Sequence, residues 1–346
     1  MKVREGFMEV GLAMMKGKRN YIEDAALVDA RLPGQPNVRV QAVFDGHTGS
    51  EAAHFLAVNL QPTLAEVGSI SPDSLTEACE RLEMKLREAV RRSGSTAVIA
   101  VIEVVSERRP VLVRGREIIP EKDTGFKTLR EKHRPTEKRL PQRKVTLGTE
   151  EAPVRVLVAN VGDSRGLILT GEDYVELTKD HIPVDEERAR VEAAGGRVQE
   201  TGGVSRVRGL MMTRSFGDFA KKAPRVEPAI ISTPEIRQFF MQWHDAMVLF
   251  SDGLVDGKLD WESVAFIVAR ELRDGISIRL AADELVQKAY GSGSTDNMTA
   301  LVTRVHRKPR KPKAKVVTSI GPAESETKED WSFKIKEGES MSLPMF

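Results

Sequence analysis

The chain has 346 residues, with 53 Lys and Arg against 51 Asp and Glu, and the resulting net charge of +2 excludes a general polyanion binder. A 40% hydrophobic content supplies a core, and the length allows one large domain or two ordinary ones. A single cysteine, Cys79, excludes an internal disulfide, and no uncharged apolar run reaches the roughly 18 residues of a membrane span. With no leader-like apolar run at the N-terminus either, a soluble intracellular protein is expected, cytoplasmic or nuclear.

Taken in order, the segments 7–15, 24–32, 38–45, 95–105, 154–163, 166–171, 246–253 and 297–305 read as buried or half-buried strands. They are short, rich in Val, Ile, Leu and Ala, and bounded by Gly, Asp, Ser or Pro. Helical spacing marks 50–67 and 71–93, the second opening on Ser71 as N-cap with Pro72 at the first helical position. A further helix is predicted over 184–196, ending on Gly195–Gly196, and a second consecutive pair lies over 260–275 and 277–293. Paired helices between runs of strands predict an α+β fold of mainly antiparallel sheets covered by helices, rather than a βαβ alternation. Residues 106–153 and the segment beyond His306 break the pattern with mixed charge and scattered prolines, and read as a long insertion and a tail.

Three of the strands end in acids: "VQAVFDG" in Asp45–Gly46, "VLVANVGDS" in Asp163, "MVLFSDG" in Asp252–Gly253. Asp296 stands just before another strand, and Glu23–Asp24 open a fifth. Singly, each is an ordinary turn residue. Together they deliver carboxylates to loop ends that antiparallel neighbours can bring to one rim, where their mutual repulsion calls for a cation. The absence of His or Cys clusters beside them disfavours zinc and points to hard ions, Mg²⁺ or Mn²⁺. Two such ions can activate a nucleophile and clamp a phosphoryl group. A lone histidine is ordinarily structural, but His47, two residues after Asp45, is placed to donate a proton to a departing alkoxide. Arg19, a few residues before the paired acids, offers a bidentate fork to phosphate oxygens.

The ordered stretches "GLAMMKGKRNYIEDAAL", "VFDGHTGSEAA", "SGSTAVIAVI", "VANVGDSRGLIL", "RVRGLMMTRSFGD", "LFSDGLVD" and "GSTDNMTALV" carry a resemblance to the metal-dependent protein serine/threonine phosphatases of type 2C. The resemblance spans almost all of residues 7–305. It implies a four-layer αββα sandwich, two central antiparallel sheets flanked by helix pairs, in a catalytic domain over 1–306 interrupted at 106–153 and followed by a tail at 307–346. It implies two Mn²⁺ or Mg²⁺ ions, one on Asp45, Asp252 and Asp296, the other on Glu23, Asp45 and the Gly46 carbonyl, with Asp24 in support. A weaker third ion falls to Asp163, Asp252 and Asp256. By the same resemblance Arg19 grips the phosphate, and His47 is general acid while a metal-bridging hydroxide attacks phosphoserine or phosphothreonine in line. The 219–231 stretch matches the family's flap beside the active site.

The expected partner is a phosphoprotein substrate of a monomeric catalytic domain, with the 106–153 insertion or the tail as a docking place for a further protein. The basic runs lack interleaved aromatics, which disfavours nucleic acid. Thr48 stands where the family commonly has glycine, and a positive φ there would strain it. That departure and the basic extensions leave one alternative, a weak or inactive phosphatase-fold scaffold. The intact acids argue against it.

Overall fold

The computed structural model describes residues 7–105, 127–128, 153–171, 173–222 and 229–306. The tail at 307–346 and nearly all of the 106–153 insertion lie outside them. A five-stranded antiparallel sheet runs in the order Glu235–Met241, Val154–Val161, Ala97–Val104, Gln35–Phe44, Ala25–Leu32. A second antiparallel sheet runs in the order Met8–Met15, Met298–Val305, Ala246–Phe250, Arg165–Thr170, Asp173–Glu176, with Lys127–Thr128 on its edge.

Helices α1 (Glu51–Val67) and α2 (Pro72–Ala89) cover the first sheet. Leu56, Leu60, Leu64, Leu75, Leu82 and Leu86 meet Val40, Ala42 and Ile99 there, the alternate residues that one sheet face presents. Ser71 caps α2 as expected, its side chain accepting from Ser74 N at 3.1 Å with Pro72 beginning the helix. On the second sheet, Trp261–Arg273 and Ile278–Gly291 pack against Val248, Phe250, Ala300 and Val302. A third core, including Val43, Val98, Val158, Ile168, Leu249 and Leu301, fills the space between the sheets. Both faces of the central strands are therefore buried, which is why they read as unbroken apolar runs.

Three cores between four layers match the expected architecture. The predicted strands and helices are present, with ends shifted by a few residues. Several elements escaped the sequence pattern, among them the strands Asp173–Glu176 and Glu235–Met241, a hairpin of Val198–Thr201 with Val204–Val207, and strands of only two residues.

Candidate functional site

Register decides where the acids lie. Ala25 pairs with Phe44, Val43 with Val98, and Ala97 with Val161, so Glu23–Asp24, Asp45 and Asp163 leave the first sheet at one end. In the second sheet Phe250 pairs with both Ala300 and Arg165, and Met15 with Met298, so Asp252, Asp296 and the loop after Met15 leave from the corresponding end. Five strand ends thus converge. Burial raises the Asp45 carboxyl well above the usual range, and the charges of Asp24, Asp252 and Asp163 raise it further. Burial likewise raises Asp163, with Asp252 its strongest repulsive neighbour, and Asp252 is raised by burial and by Asp296. The charge of Asp252 acts on Asp45 from close by, so these two carboxyls are near neighbours at the rim.

Asp24 sits below the rim, 2% exposed, and accepts from Thr299 Oγ1 at 2.6 Å and Ser251 Oγ at 2.9 Å. Glu23 Oε1 accepts from Gly49 N at 2.5 Å. A Cβ on Gly46 would overlap the Glu23 carbonyl oxygen, so only glycine lets these two loops touch. Arg19 Nη2 donates to Asp296 Oδ2 at 2.6 Å. Asp256 is the outlier. It is exposed, one turn beyond Asp252, and its carboxylate holds Thr295 N at 3.1 Å.

Two residues that organise the site were not assigned from sequence. Asn297 staples the Arg19 loop, donating to Lys16 O at 2.8 Å and Tyr21 O at 2.9 Å while accepting from Glu23 N at 2.7 Å. Asp218 meets His47 Nε2 at 2.6 Å. The signals were the Asn of "DNMT" and the final Asp of "RSFGD", but each partner is more than 170 positions away. The doubt over Thr48 is answered by its φ of 60°, the left-handed region where a β-branched residue is strained.

As the side chains stand, no three His, Cys, Asp or Glu groups among the described residues are arranged around one ion. The donor chemistry nevertheless fits a hard divalent cation. The donors are all oxygens, and Asp24 Oδ1 and Asp163 Oδ1 are buried without a hydrogen-bond partner, a costly state that a cation relieves.

Comparison with known proteins agrees with this architecture. The family profile "Protein phosphatase 2C" matches residues 8–139 and 145–298. The rice protein "Probable protein phosphatase 2C 59" is 30% identical over 86% of this chain and 76% of its own length. The human "Probable protein phosphatase 1N" is 30% identical over 88% of this chain and 63% of its own. Among solved structures, a phosphatase from Toxoplasma gondii superposes with a TM-score of 0.70 at 29% identity, covering 91% of this chain and 98% of that one. The fold is one this chain shares with a solved phosphatase. The chain belongs to the protein phosphatase 2C family, whose activity is metal-dependent hydrolysis of phosphoserine and phosphothreonine in proteins.

Proposed function

We propose that Glu23, Asp45, Asp252 and Asp296, with the Gly46 carbonyl, hold two Mn²⁺ or Mg²⁺ ions, and that Asp24 supports them from beneath. Asp163 and Asp252, with Asp256 at the edge, form a weaker third position. The observation that carries this reading is the gathering of carboxylates from both sheets at one point, where Asp24 Oδ1 and Asp163 Oδ1 are buried without a partner and Asp24, Asp252 and Asp163 all act on Asp45. When bound, the ions supply Lewis-acid charge and lower the pKa of an attacking water.

The protein's own groups do the rest. Arg19, 54% exposed, is open to solvent, and its guanidinium can exchange Asp296 for two oxygens of an incoming phosphoryl group. Attack is in line, so the serine or threonine oxygen departs on the side opposite the incoming water. That oxygen leaves as a strongly basic alkoxide. A proton from His47 at that moment is worth about 10²–10⁴ in rate. The rigid loop stapled by Asn297 keeps Arg19 and Glu23 at a fixed separation, which lowers the ordering cost of binding.

The substrate is a phosphoprotein, met by one catalytic domain over 1–306 whose sequence the charged 106–153 stretch interrupts. Among the described residues no helix is long and apolar enough to cross a membrane. Buried Cys79, the sole cysteine, supports an intracellular setting. Phosphate release from a phosphothreonine peptide, with Mn²⁺ or Mg²⁺ and again with EDTA, tests the proposal. Release that depends on the metal and is lost in Asp252→Ala supports it. Metal-independent release would overturn the metal-site reading, and no release from folded protein would favour the scaffold.

A further inference from the structure

His47 is not free to turn. Its Nε2 lies 2.6 Å from Asp218 Oδ2, and the Asp218 side chain is 1% exposed. The same oxygen accepts from Ser215 Oγ at 2.8 Å, and Lys221 Nζ stands 3.8 Å from the other. Burial favours a neutral Asp218, but the bond and charge of His47, the Ser215 hydroxyl and Lys221 outweigh it and keep the group a carboxylate. A carboxylate only accepts, so Nε2 carries the hydrogen. Among the described residues no protein group bonds Nδ1 of His47.

The surroundings are built for this pair. A three-strand ribbon places Gly94–Ser95 between Gly46–His47 and Phe216–Gly217, with Gly94 opposite both His47 and Gly217. A Cβ on Gly94 would overlap Asp218 Oδ2 and His47 Nε2 together, so the smallest residue stands where the two side chains meet. Asp218 has φ 50°, a region that Asp and Asn enter more readily than other side chains. Its backbone is pinned from α2, where Glu83 accepts from Gly217 N at 2.9 Å and from Lys222 Nζ at 2.6 Å.

We propose that Asp218 is the positioning residue of the reaction, holding the His47 ring so that Nδ1 faces the departing oxygen. The proposal rests on the reading of His47 as the acid. In that step the bond from phosphorus to the serine or threonine oxygen breaks, and the electron pair stays on the oxygen and takes the Nδ1 proton. The imidazole is left neutral, with Nε2–H still on Asp218. A proton lost by the attacking water balances the cycle. Asp218 itself touches no substrate; it acts through His47, as an orienting carboxylate acts on a catalytic imidazole.

Leaving-group dependence tests this. A phosphothreonine peptide needs the acid, whereas p-nitrophenyl phosphate, with a weakly basic leaving group, needs it far less. Asp218→Asn preserves shape and backbone preference. It should lower kcat on the peptide by about 10–100-fold and lower aryl phosphate turnover much less. His47→Ala should show the same selectivity, and the double variant should lose no more than His47→Ala alone. ¹⁵N spectra of the Mg²⁺-loaded protein should show His47 protonated at Nε2 in the wild type and altered in Asp218→Asn. If Asp218→Asn does not fold, Gly94→Ala, which wedges the pair apart, and Ser215→Ala carry the same comparison. Equal losses on both substrates in the Asp218 variant, beside a selective His47→Ala, would overturn the positioning role alone. A His47→Ala variant that loses both substrates equally would overturn the acid assignment, and the positioning role with it.

Discussion

Arg19 Nη2 rests 2.6 Å from Asp296 Oδ2, so the guanidinium proposed to grip phosphate is held by a carboxylate proposed to hold a metal. With Arg19 54% exposed, such a pair contributes only about 0–1 kcal/mol, little enough to be exchanged for a phosphoryl group. Arg19→Ala should therefore raise KM for a phosphopeptide by about tenfold or more while changing Mn²⁺ affinity little. Arg19→Lys should recover only a small part, because an ammonium cannot fork two oxygens. Initial rates across peptide concentration check this; an unchanged KM contradicts it.

Thr48 holds φ 60° beside His47. Strain of that kind costs about 1–3 kcal/mol, against about 0.5–1 kcal/mol of added chain entropy for glycine. Thr48→Gly should stabilise the metal-free protein by about 1 kcal/mol in chemical denaturation. A loss of stability would mean that the Thr48 side chain makes contacts worth more than its strain.

Glu187 anchors the Asp185–Ala193 helix to the Thr213–Arg214 segment leading into Ser215 and Asp218. It accepts from Arg214 Nε at 3.0 Å, from Arg190 and from the Thr213 hydroxyl. Burial alone would raise its pKa, but the bonds from Arg214, Thr213 and Arg190 outweigh it and bring the carboxyl from 4.5 to about 2. A folded pKa below the unfolded one stabilises above pH 4.5, and the gain is lost as pH falls toward 2. Glu187→Gln should cost on the order of 1–3 kcal/mol at pH 7 and flatten acid denaturation across that window.

Asp245 has the opposite sign. Burial lifts it to about 6, partly countered by bonds from Gln242 N and the Thr170 hydroxyl. Its contribution favours the fold below the unfolded value of 3.8 and disappears as pH rises through 6. Asp245→Asn should leave stability nearly unchanged near pH 3 and raise it by on the order of 1–2 kcal/mol at pH 8. Thermal melts of both proteins across pH compare directly; a difference that does not grow with pH contradicts the assignment.

What could be read from the sequence follows from burial. Ala97–Val104, Ala246–Phe250 and Met298–Val305 lie between two cores, and their apolar runs announced them. Glu235–Met241 is an edge strand, "EIRQFFM", with an exposed Gln238 and a partly exposed Arg237, and no such run marks it. At the site, the acids were visible because each ends or begins a strand. Asp218 was not, because its role comes from a contact across 171 positions and a ribbon of two-residue strands. Asn297 escaped for the same reason. Its bonds are to backbone atoms of a loop some 274–281 positions earlier, which no spacing rule connects.

The most direct test of the account is a calorimetric titration of the folded, metal-free protein with Mn²⁺, repeated on Asp45→Asn. Asp45 is where the strand ends of both sheets meet, so the account predicts at least two ions bound by the wild type and tight binding lost in the variant. Equal stoichiometry and affinity in the two proteins would contradict it.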